Sequence, residues 1–181
     1  MIVELRQYAL RPGQRDVLIE LFDRALAEGQ EAVGITMIGW FRDLDDPNNF
    51  VWLRAFPAMA TRAQALEAFY GGPVWAEHRN EANATMISSD NVLLLRTAGG
   101  SVDALRNRPE LVASIHSFPE PVDQAEVERL EREHGPAWAA FVTEESPNNF
   151  PALPVREGEH VVVRLSDRPD PGSEETLRLQ A

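Results

Sequence analysis

The chain has 181 residues, 44% of them hydrophobic, enough for a packed core, and its formal net charge of −12 argues against a nucleic-acid partner or an anionic membrane surface. It has no cysteine, and all 17 Lys/Arg positions are arginine, which excludes thiol nucleophiles, thiolate metal sites, Schiff-base lysines and phosphate-loop lysines. No apolar run is long enough to span a bilayer. The opening Met1-Ile-Val-Glu-Leu-Arg6 lacks the basic and apolar regions of a signal peptide, so a cytoplasmic location is expected.

Ile2 to Ala9 alternates with period two and predicts a strand, with Val3, Leu5 and Gln7 on one face and Ile2, Glu4, Arg6 and Tyr8 on the other. Pro12-Gly13 opens a helix whose stripe is Val17, Leu18, Leu21, Phe22, Ala25 and Leu26. Ile35 to Leu44 predicts a second strand, Asp-Pro-Asn-Asn a turn, and Phe50 to Phe56 a third strand that completes a hairpin. Thr61 to Tyr70 reads as a helix stopped by Gly71-Gly72. Pro73 starts another, carrying Val74, Trp75, His78 and Ala82, and Asn91 to Thr97 is an apolar fourth strand. The order β-α-β-β-α-β is that of a ferredoxin-like module.

Residues 99 to 110 read as a linker between a first unit, 1 to 98, and a degenerate, truncated second copy, 111 to 181. Phe141 to Phe150 aligns with Phe41 to Phe50, both ending in Pro-Asn-Asn-Phe. His160 to Ser166 aligns with Phe50 to Phe56, which puts Arg164 over Arg54. Leu111 to Phe118 resembles the first strand, with His116 over Arg6. Val122 to Glu133 is a charged first helix. The second helix of this copy is missing, and Thr176 to Gln180 is left as its fourth strand. The expected class is α+β: two ferredoxin-like units pairing sheet against sheet as an intrachain pseudo-dimer. The thin cover over the truncated copy predicts a homodimer formed through apolar surface there.

Met-Ile-Val-Glu-Leu-Arg-Gln-Tyr followed by Arg-Pro-Gly, the aromatic strand Phe50 to Phe56, Arg62, and Phe69 to Trp75 with its Gly-Gly-Pro break together resemble the NIPSNAP family. The resemblance covers residues 1 to 98 well and the remainder weakly. It implies a dimeric-α/β-barrel fold, in a superfamily that includes cofactor-free monooxygenases, isomerases and haem enzymes.

The expected barrel interior carries Glu4, Arg6, Tyr8, Trp52 and Arg54, joined by His116 from the second copy, with Trp75 and His78 at the rim. Such a mixed aromatic and charged lining suits a small, partly apolar ligand; a salt-bridged layer that satisfies buried charge is the competing reading. A cofactor-independent oxygenase or isomerase would use His116, His78 or Glu4 as base and Arg6 or Arg54 to hold an anion. The third reading is an assembly module without catalysis. No two histidines sit at ligand spacing, and Asp43-Leu-Asp-Asp fails as a calcium loop, so neither a metal nor another cofactor is expected.

Overall fold

The computed structural model describes residues 1–181. Strands β1 (Ile2–Leu10), β2 (Thr36–Asp43), β3 (Asn49–Phe56) and β4 (Met86–Gly100) come from the first unit. Strands β5 (Glu110–Phe118), β6 (Ala139–Thr143), β7 (His160–Ser166) and β8 (Glu175–Gln180) come from the second. One helical run follows β1: α1 (Arg15–Leu21), a π turn (Phe22–Leu26) and α2 (Ala27–Glu31). Helices α3 (Met59–Tyr70) and α4 (Pro73–Thr85) separate β3 from β4, and α5 (Gln124–His134) follows β5.

All eight strands close into one antiparallel barrel in the order β1-β3-β2-β8-β5-β7-β6-β4. The first half runs β4-β1-β3-β2 and the second β8-β5-β7-β6, which is the same order once each second-half strand is matched to its counterpart. The intrachain pseudo-dimer is therefore the architecture of the molecule. Its two seams differ. β4 and β6 pair from Leu95↔Thr143 to Gly100↔Ala139, whereas β2 meets β8 only at Arg42↔Gln180 and Asp43↔Leu179.

Local chemistry sets the helix ends. The Thr61 hydroxyl accepts from the Ala58 backbone N–H at 3.0 Å and so fixes the start of α3. Pro73 occupies the first turn of α4, where its missing N–H costs nothing. The Asp123 side chain caps α5 by accepting from the Glu126 N–H at 3.0 Å. Gly39 lies at a bulge in β2, where an added Cβ would approach the Phe41 ring to 2.5 Å.

The barrel interior is filled. Val3, Leu5, Val51, Leu53 and Leu95 meet Leu111, Ile115, Phe141, Val163 and Leu179 in one buried apolar cluster. Eight strands leave room for little more than such side chains. Val102 and Leu105, from a short 3-10 helix (Val102–Leu105) inside the expected linker, join the same cluster. This corrects the expectation for Glu4, Arg6, Tyr8, Trp52 and Arg54, which sit on the opposite face, buried under α1, α2 and α3. Both faces of β1 and β3 are buried, one by the barrel and one by the helices, so alternation alone left the assignment of faces open.

The expected apolar patch over the truncated copy is also corrected. The outward side chains of β8 are Thr176, Arg178 and Gln180, all exposed. Where the second helix is absent, the strand presents polar residues to solvent, and no large apolar patch there calls for a second chain.

Candidate functional site

The two halves of the barrel each carry a polar cluster at the same place in the strand register. In the first half, Glu4 lies opposite Arg54 and Arg6 opposite Trp52. In the second, Ser114 lies opposite Arg164 and His116 opposite Val162.

The first cluster centres on the Glu4 carboxylate. Its Oε2 accepts from Arg6 Nη1 at 2.7 Å and from Arg54 Nε at 2.8 Å, and its Oε1 accepts from Arg62 Nε at 2.7 Å. β1 and β3 deliver Glu4, Arg6 and Arg54 to one face, and the first turn of α3 delivers Arg62 from above. All four side chains are 0% exposed. Arg54 also donates to the Gln30 side chain of α2 at 2.7 Å, and Arg6 Nε to the Tyr8 hydroxyl at 3.0 Å. Aromatic faces complete the shell: the Arg54 guanidinium carbon lies 4.9 Å from the Trp52 ring centroid and 5.9 Å from that of Tyr70.

Burial alone would push the Glu4 carboxyl up. The Arg54, Arg6 and Arg62 guanidiniums outweigh it and hold the group well below the usual carboxylate range. Burial likewise works against the charge of Arg6, yet its neighbours, Tyr8 and Glu4 foremost, raise it above its ordinary value. Arg62 is lowered, because burial exceeds the attraction of Glu4.

One carboxylate thus faces three arginines. Arg6 Nη2, Arg62 Nη2 and the Trp52 indole N–H are buried without a hydrogen-bond acceptor. Arg54 Nη2 lies 2.7 Å from Glu4 Oε2 but is not aligned to donate to it. Unmet buried donors and a surplus of buried positive charge are each costly.

A strap from the other half closes this cluster. The connection between β6 and β7 carries the second Pro-Asn-Asn-Phe. Asn148 and Asn149 accept from Arg62 Nη1 at 3.1 and 2.7 Å, and Phe150 stacks on Tyr70 with ring centroids 6.1 Å apart. The first copy of the motif, Pro47 to Phe50, turns the β2–β3 hairpin and buries Phe50 against Tyr8 and Phe22. Sequence alignment found the repeat, but the docking of residues 148 to 150 on α3 carries no local signal.

The second cluster is built around Asp170, in the β7–β8 connection. Its Oδ2 accepts from Arg164 Nε at 2.6 Å and lies 3.1 Å from His116 Nε2; its backbone N–H donates to Ser114 Oγ at 2.9 Å. His134, the last residue of α5, stacks on His116 with ring centroids 5.4 Å apart. His116 therefore belongs with Asp170, Arg164 and His134 and not with the Glu4 set. Asp170 was missed from the sequence, and His134, read there only as a helix end, was not joined to His116, since 18 and 36 residues separate the three groups along the chain.

Of the expected rim residues, Trp75 borders the first cluster through Tyr70, and His78 stands apart from both clusters. Trp75 packs against Tyr70 and Phe69, at 5.0 and 6.1 Å between ring centroids, and His78 Nδ1 lies 3.9 Å from the Glu81 carboxylate. A surface cavity of about 470 Å³ follows the weak β2–β8 seam. Its walls include Met37, Ile38, Trp40, Phe41, Arg106 and Arg108. None of the residues expected to bind ligand lines it.

This fold and its paired clusters define a single-chain α/β barrel made of two ferredoxin-like halves. The NIPSNAP family model matches residues 3–99, more than half of the chain, and the chain belongs to the NIPSNAP family. An uncharacterized NIPSNAP-like domain protein from Burkholderia xenovorans is 26% identical over 51% of this chain and 79% of its own, with a TM-score of 0.45. A candidate monooxygenase from Lactobacillus acidophilus superposes on 98% of this chain and 92% of its own, with a TM-score of 0.56 at 11% identity. One from Fusobacterium nucleatum covers 99% of this chain and 91% of its own, with a TM-score of 0.57 at 7% identity. At such identities the likeness is one of fold. No curated protein matches the chain. No helix is long and apolar enough to cross a membrane.

Proposed function

We propose that the chain binds a small anion with a planar or apolar body, such as an aromatic or unsaturated carboxylate, at the Glu4–Arg6–Arg54–Arg62 cluster. The observation that carries this is the imbalance of charge: three buried guanidiniums share one carboxylate, and Arg6 Nη2, Arg62 Nη2 and Trp52 Nε1 lack acceptors. A carboxylate supplies two acceptor oxygens and one negative charge, and guanidinium forks match it in shape. Trp52, Tyr8 and Tyr70 supply apolar faces for the body of such a molecule. Entry requires the Asn148–Phe150 strap to lift from Arg62 and Tyr70.

The geometry favours binding over proton transfer. Glu4 is held ionised by its arginines, so it is a poor base near neutral pH. His116 belongs to the other cluster, and His78 is half-buried on α4 beside Glu81. The test is a thermal-shift and calorimetric screen of small carboxylates, with benzoate and acetate as the planar and minimal probes. Saturable stabilisation by benzoate, strengthened when Asn149→Ala loosens the strap and abolished in Arg6→Gln, supports the reading. Absence of binding in both the wild type and Asn149→Ala overturns it and leaves a purely structural ion network.

A further inference from the structure

We propose that His116, His134 and Asp170 form a site for one first-row divalent transition-metal ion such as Zn²⁺ or Co²⁺. The donor atoms of the three side chains all lie within 4.8 Å of one another. Donors about 2.1 Å from a common ion stand roughly 3 to 4 Å apart, so the set is close to ligating separation. The 3.1 Å between His116 Nε2 and Asp170 Oδ2 already matches two cis ligands of one ion. His134 is half-buried and makes no side-chain hydrogen bond, so a rotamer adjustment brings it in at little cost.

Two imidazoles and one carboxylate suit ions of the zinc, cobalt and non-haem iron kind. Asp170 is positioned by groups that leave it free to ligate. Arg164 holds Oδ2, whose 3.1 Å contact with His116 Nε2 the ion replaces, whereas Oδ1 has no donor in the protein, and the Asp170 backbone is pinned through Ser114 Oγ. His134 ends α5, where the negative end of the helix dipole favours a cation.

Beside the cluster is a surface cavity of about 240 Å³, bounded by His116, His134, Glu133, Gly172 and Glu174, with room for water or a small ligand on the open coordination positions. The Arg164 guanidinium opposes the ion's charge, so the affinity is that of an exchangeable site. Arg129 and Glu133 also line the cavity and neutralise one another.

The experiment titrates chelator-treated full-length protein with Co²⁺, following its visible d–d absorption, and with Zn²⁺ by calorimetry. Expected are one ion per chain, a Co²⁺ spectrum more intense than that of the aquo ion, and an affinity at least about tenfold lower in His134→Ala. His134 lies at a helix end outside the main cores, so this variant should keep its metal-free melting temperature. His160→Ala, which alters a histidine paired with Glu145, serves as control and should bind as wild type does. A Co²⁺ spectrum indistinguishable from the aquo ion, or equal losses in His134→Ala and His160→Ala, overturns the proposal.

Discussion

The two clusters occupy the same strand register in opposite halves of one barrel, yet each solves the problem of a buried arginine differently. Arg54 and Arg164 are equivalent: each faces outward from the second-from-edge strand of its half-sheet. In the first half the counter-charge is on the neighbouring strand, Glu4, and the helix layer above adds Arg62 and seals the site. In the second half the corresponding strand position holds Ser114. The carboxylate comes instead from Asp170, in the connection that replaces the missing helices. The first cluster is consequently closed. The second is open at one side, where His116, with a side chain 8% exposed, and His134 border a cavity. A full helix layer makes a sealed charge network, and its absence leaves a cluster that borders a surface cavity.

The strongest way to break this comparison is Glu4→Gln. It leaves three buried guanidiniums without a carboxylate and should lower stability by about 3–5 kcal/mol, read from the urea midpoint or, at the extreme, from loss of soluble protein. Asp170→Asn at the second cluster should cost less, roughly 1–3 kcal/mol, because it strands one buried guanidinium, which keeps its bond to the Gly135 carbonyl, where Glu4→Gln strands three. Equal losses in the two variants would mean that the helix layer does not set the difference.

Acid sharpens the contrast next. The folded-state value of Glu4 is depressed, so its contribution is fully present above the unfolded carboxylate value of roughly 4.3 and is lost as pH falls below that. Urea midpoints taken from pH 7 down to pH 3 should fall for the wild type and fall less steeply for Glu4→Gln. Parallel curves would remove Glu4 as the acid-sensitive group.

The smallest effect concerns the strap. Asn149 accepts from Arg62 and donates to the Met59 carbonyl at 2.6 Å. Asn149→Ala should cost about 1 kcal/mol, speed protease cleavage within 144–159, and leave Co²⁺ binding by the second cluster unchanged. A loss of Co²⁺ binding would show that the halves are coupled and that the comparison of two independent sites is wrong.

Much of the fold was legible because its signals are local. Period-two alternation in Ile2 to Ala9, turn chemistry at Pro47 to Asn49, and Pro73 at a helix start each act within a few residues. The repeat of Pro-Asn-Asn-Phe, with Arg164 over Arg54, revealed the second half without any structure. By itself the sequence determined two half-barrels of βαββαβ type, the second truncated, and it put Glu4, Arg6, Tyr8, Trp52 and Arg54 on one face of their strands. Only the tertiary structure decided which way that face points. Closing eight strands leaves an interior packed with apolar side chains, so the face that carries Glu4, Arg6 and Arg54 turned outward and is covered by helices. Tertiary structure alone also joined His116 to His134 and Asp170 and laid Asn148 and Asn149 on Arg62. Those contacts cross connections whose paths no local pattern encodes, and they form only once the two halves share a barrel.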